Sequence, residues 1–138
     1  MVVLIALFAM ICWGIAPIFG KLGLSDLDPL VGLAYRTYLS TALLTGWMIR
    51  DNTFSKMAGV SLKSIIFLGI EGILATLVGD LAYYAAIKYG EISIVTLIMS
   101  CSPIISIIMA ILIFDEQLTP VKFVGAGLIV IGLTLIVR

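Results

Sequence analysis

The sequence contains no histidine, which removes the commonest metal ligand and the usual general base at neutral pH. It has two cysteines, Cys12 and Cys101, both inside apolar runs, where they read as small buried thiols rather than redox or metal groups. No nucleophile–base pair and no metal-ligand constellation is visible, so the chain is not read as an enzyme and no cofactor is expected. Charge is scarce as well. Only 12% of the residues are charged and 62% are apolar, against about 25% and 45–50% in soluble domains. The formal net charge is zero, and no basic tail points to nucleic acid or to a polybasic lipid anchor.

What is present is a series of long apolar runs. Only helices and closed barrels satisfy every backbone polar group in lipid, and these runs lack the alternation of a barrel strand. The fold class is therefore all-α, an integral membrane helix bundle with five transmembrane helices in one domain over 1–138. The spans are expected at about 2–20, 30–49, 64–87, 92–114 and 121–137. At 1.5 Å per residue the first run covers a hydrocarbon core of ~30 Å. It lacks a preceding Lys or Arg and a following cleavage pattern, so it reads as a retained span.

Pro17, with Gly14 and Gly20 nearby, predicts a kink or a close helix contact in the first span. Asp28 and Pro29 form an N-cap and a first helical position for the second. That span carries Arg36 about 10 Å from its start, and Trp47 is placed to anchor its far end. Gly90 reads as a helix stop after Lys88 and Tyr89. The fourth span carries no charge but holds Ser100, Ser102, Pro103 and Ser106 at its middle. Thr119 caps the fifth, whose Gly125, Gly127 and Gly132 give it a thin face for close packing.

Five spans set the termini on opposite sides. Arg50, Lys56, Lys63 and Lys122 fall on the N-terminal side, and Lys21, Lys88 and Arg138 on the other. The cluster over Arg50–Lys63 places the N-terminus in the cytoplasm under the positive-inside rule, and the small bias also allows insertion both ways up.

The third span places Glu71 and Asp80 inside a membrane-length apolar run. A charge at the bilayer centre costs roughly 2.5–3.5 kcal/mol on insertion scales, so such acids are paired, protonated, or turned to a polar cavity. At about 100° per residue the two point to opposite sides of an ideal helix, and they are not a catalytic dyad. Asp80 and Arg36 enter from the same face at similar depth. Two readings of Asp80 follow, a buried ion pair or a direct transport role. Glu71 has no cation at its own depth, which marks it as a protonatable group or a substrate contact.

If two chains pair antiparallel, Glu71 of one comes level with Asp80 and Arg36 of the other, and the pair reproduces the inverted-repeat design of secondary transporters. Trp13 falls near mid-bilayer, either as a core residue or lining a cavity. Tyr83 and Tyr84 read as belt anchors more than as substrate contacts. The serines near Pro103 either bond backbone freed by the proline or present hydroxyls to a cavity.

The order Trp13-Gly14, Lys21, Asp28-Pro29, Arg36, Ala85, Lys88-Tyr89-Gly90 and Ser102-Pro103-Ile104 resembles the EamA-type domain of the drug/metabolite transporter superfamily. Phe114-Asp115-Glu116-Gln117-Leu118-Thr119, followed by Gly125-Ala126 and Gly132, resembles that family's ending. The resemblance implies a carrier of small solutes by alternating access, with the first, third and fourth spans bordering a cavity. Trp13, Glu71, Asp80, Ser100 and Ser102 lie in those spans. Larger members look like two such units fused in opposite orientation, so a single unit implies an antiparallel homodimer or a sister subunit. The expectation is a secondary transporter in a prokaryotic inner membrane, with proton coupling through Glu71. A non-transporting accessory subunit of a flippase or transporter complex is the alternative.

Overall fold

The computed structural model describes residues 1–117 and 119–136, and among these every regular element is helical. By packing, the chain falls into two compact units, Met1–Tyr89 and Gly90–Arg138. Helices Val2–Gly23, Leu62–Tyr89 and Ile92–Phe114 are long and apolar enough to cross a membrane. Pro29–Arg50 matches the first in length but carries Arg36 within it, and Pro120–Ile136 is shorter, at 17 residues.

In the first unit, α1 (Val2–Gly23) closes on Leu24, whose amide donates to the carbonyls of Gly20 and Lys21. Helix α2 (Pro29–Arg50) starts as its sequence dictates. The Asp28 carboxylate accepts from the Leu30 amide at 2.9 Å, and Pro29 sits at the N-terminal turn, where no amide is needed. At its far end the Trp47 indole donates to Asp51, and Asn52 turns the chain with a φ of 51°. A single turn, α3 (Phe54–Met57), interrupts the following loop. Ser61 then caps α4 (Leu62–Gly72) by accepting from the Ser64 amide at 3.1 Å. The third span therefore begins two residues before the expected Ser64. Lys63 had marked that stretch as loop, but one charged residue in a first turn is no barrier to a capped helix.

From α4 the chain continues without a break through a π-helical segment, Ile73–Gly79, into α5 (Asp80–Tyr89). Pairing each amide with the carbonyl five residues back gives a wider turn than an α-helix, and the Asp80 amide accordingly reaches the carbonyl of Ala75. Gly79 fits this path because a Cβ there would lie 3.0 Å from the Leu74 carbonyl oxygen. The wider turn advances less per residue, so the ideal-helix count that set Glu71 and Asp80 on opposite sides does not carry across this segment.

The buried residues of this unit gather at one end. Pro17 and Leu24, Pro29 and Leu33, and Tyr84 and Ile87 all lie where α1 stops, α2 starts and α5 finishes. Gly32 lets the chain close there, since a Cβ on it would strike the Leu24 side chain and come within 3.6 Å of the Tyr84 ring. Helix α4, at the other end of the rod, buries none of its residues.

In the second unit the expected fourth span is two helices, α6 (Ile92–Met99) and α7 (Ser102–Phe114), separated at Ser100–Cys101. Pro103 has no amide to offer the Met99 carbonyl, and its ring crowds that oxygen, which breaks a helix at this distance upstream. Helix α7 ends at Asp115, which takes a left-handed conformation with a φ of 51°. Helix α8 (Pro120–Ile136) begins with the Lys122 amide 3.4 Å from the Thr119 hydroxyl. The expected end of the fifth span at Val137, together with Leu118 of the family-like ending and Arg138 of the charge count, lies outside the described residues.

Candidate functional site

Helices α2 and α5 bring Arg36 and Asp80 together, and the guanidinium donates to the Asp80 carboxylate. Asp80 stands where the π-helical segment passes into α5. One turn on, Tyr84 lies on the same face, and its ring centroid is 5.4 Å from the guanidinium carbon. The guanidinium thus has the Asp80 carboxylate as its hydrogen-bond partner and the Tyr84 ring as a cation–π neighbour. The pair is not sealed, since the side chains of Arg36 and Asp80 are 41% and 28% exposed.

Glu71 is on α4, nine residues from Leu62, while Asp80 is nine residues from Tyr89. Each carboxylate therefore sits about 13 Å along the rod from its nearer end. Glu71 is exposed, and among the described residues it makes no hydrogen bond or ion pair. An acid in an apolar run with no partner among the described residues is a poorly compensated group.

Trp13 on α1 is 80% exposed and takes no part in the core of its unit. In the second unit the Ser100 hydroxyl donates to the Leu97 carbonyl at 2.6 Å, and the Ser106 hydroxyl to that of Ser102 at 3.4 Å. Ser102 and Ser106 also line an open groove of about 440 Å³, which is bordered by Pro103, Gln117 and the Lys122–Glu116 ion pair.

Sequence reasoning missed two contributors. Tyr84, read as a belt anchor, is 8% exposed and supports Arg36; its spacing of four from Asp80, which puts both on one helix face, was the available signal. Lys88 donates to the Leu27 carbonyl at 2.6 Å, tying the end of α5 to the loop between α1 and α2. Nothing in the sequence names a carbonyl as a partner.

Residues 1–138 match the profile of the EamA-like transporter family. The chain is 25% identical over 134 residues to an uncharacterized transporter of Archaeoglobus fulgidus, covering 97% of this chain and 47% of that relative. It thus spans about half the length of the curated relative it matches. No solved structure matches it.

Proposed function

Because the chain belongs to the EamA-like transporter family and is an integral, multi-pass membrane protein, we propose that it is a secondary transporter of small solutes or metabolites that works by alternating access as one of a pair. The observation that carries this reading is Glu71, an acid without a partner among the described residues, on an apolar helix. A helix retained only for packing gains nothing from such a residue, whereas a carrier uses it to bind a proton or a cationic group in turn. Proton coupling through Glu71 is part of the proposal. Within the second unit, the serine-lined groove supplies further surface for a solute. The partner is a second copy or a sister subunit, and the N-terminus faces the cytoplasm.

The test is flux into vesicles reconstituted with the chain, using a panel of labelled amino acids, amines and organic anions under an imposed pH gradient. Uptake that depends on the gradient and is lost in Glu71→Gln supports the reading. No uptake of any panel member by the wild-type chain, alone or with an oppositely oriented sister subunit, favours a non-transporting accessory role.

A further inference from the structure

The connection between α2 and α4 carries charge that the fold does not use. Over residues 50–63 it holds Arg50, Lys56 and Lys63 against a single acid, Asp51. Among the described residues the side chains of Arg50 and Lys56 make no hydrogen bond or ion pair, and the Lys63 ammonium lies 6.0 Å from the centre of the Phe67 ring. Asp51 does not answer Arg50, because its carboxylate accepts from the Trp47 indole. Nor does the end of α2 need Arg50 as a cap. The carbonyls of Trp47, Met48 and Ile49 already accept from the amides of Asp51, Thr53 and Asn52.

Two further features sit at this end of the first unit. Gly46, Trp47, Arg50 and Asp51 share one face of the last turns of α2 and line a groove of about 410 Å³, to which Gly46 contributes no side chain. In α3, Phe54 and Met57 are three apart and share a face, yet that helix buries none of its residues within its own unit.

We propose that this groove holds the headgroup phosphate of an anionic phospholipid from the adjoining leaflet, with Arg50 as its principal donor. A connection between two spans returns to the bilayer surface, whatever the placement of the remaining helices. At that level the Trp47 ring sits among headgroups, and the apolar face of α3 sinks to the boundary between headgroups and acyl chains. The guanidinium offers a planar fork of donors that matches two phosphate oxygens. Lys56 and Lys63 add positive field, and three cations less one acid leave an excess of two positive charges. That excess selects an anionic headgroup over a zwitterionic one. The glycerol lies over Gly46, one turn deeper in the bilayer than Arg50. The site is independent of the transport reading, since it needs only that α2 and α4 enter the membrane.

The test uses the full-length chain with Trp13→Phe, which leaves Trp47 as its one tryptophan, in phosphatidylcholine vesicles containing a minor share of phosphatidylglycerol. In one sample the phosphatidylglycerol chains are brominated, and in a matched sample an equal amount of the phosphatidylcholine, so that bromine quenches the indole of Trp47 where the labelled lipid settles. Brominated phosphatidylglycerol is expected to quench more strongly. Arg50→Gln is expected to lower that preference about fivefold. Gly46→Leu fills the groove and keeps every charge, and a Cβ there meets nothing within 4 Å; it is expected to remove most of the preference as well. Equal quenching by the two lipids in the Trp13→Phe chain overturns the proposal. A preference that survives Gly46→Leu marks diffuse attraction to the surface and overturns the groove. A preference abolished by inorganic phosphate at fixed ionic strength marks a site for a free anion and overturns the lipid as its occupant.

Discussion

Arg36 on α2 and Asp80 on α5 stand 44 residues apart in sequence and bond directly, with Tyr84 beneath the guanidinium. This contact ties two helices at a depth where either charge alone is costly. Breaking it is worse than replacing it, because a lone charge remains in an apolar setting. Asp80→Asn should lower stability by about 1–3 kcal/mol, whereas Arg36→Met combined with Asp80→Leu should recover most of that loss. Unfolding in detergent micelles, followed for both variants, checks the order.

Glu71→Gln removes a charge but no bond among the described residues. Its effect on the stability of the monomer should stay within about 0.5 kcal/mol, even where flux is lost. The comparison of melting temperature with vesicle uptake, made on one preparation, separates a working residue from a structural one.

Gly79→Ala places a Cβ 3.0 Å from the Leu74 carbonyl oxygen. Because the neighbour is backbone, the π-helical segment must shift or tighten, and a loss of about 1 kcal/mol is expected. Gly72→Ala, seven residues before, meets nothing within 4 Å and should gain about 0.5–1 kcal/mol from better helix propensity. Distances between spin labels at Ser64 and Tyr89 should change in the first variant and not in the second.

Ile87 is fully enclosed at the closed end of the first unit, at 0% exposure. Ile87→Ala should cost about 2–5 kcal/mol, while Leu112→Ala on α7, 71% exposed, should be close to neutral in the monomer. Detergent unfolding curves of the two, set side by side, test whether the core lies at that end.

The helical class could be read from composition because lipid leaves a chain so few options. The starts of α2 and α8 were legible for a local reason, since the Asp28-Pro29 and Thr119-Pro120 pairs act within a few residues of themselves. Arg36 and Asp80 could be matched by depth alone. The π-helical segment could not be foreseen, because Ile73–Gly79 holds no residue type reserved for that geometry, and Gly79 reads equally as an ordinary packing glycine. The division of the fourth span into α6 and α7 was signalled by Pro103, but the serines around it drew attention to hydroxyls and away from the missing amide. Lys88 was counted as a loop charge, and its bond to Leu27 depends on how three helix ends meet.

The separation of Arg36 from Asp80 also bears on biogenesis. A ribosome delivers α2 well before α5 exists, so the guanidinium enters the insertion machinery without its carboxylate. On insertion scales that charge opposes partitioning by roughly 2.5–3.5 kcal/mol, and α2 is not among the helices apolar enough to cross on composition alone. Partitioning of α2 into the bilayer is thus expected to be less favourable on its own than with the Asp80 end of the rod present to pair its guanidinium.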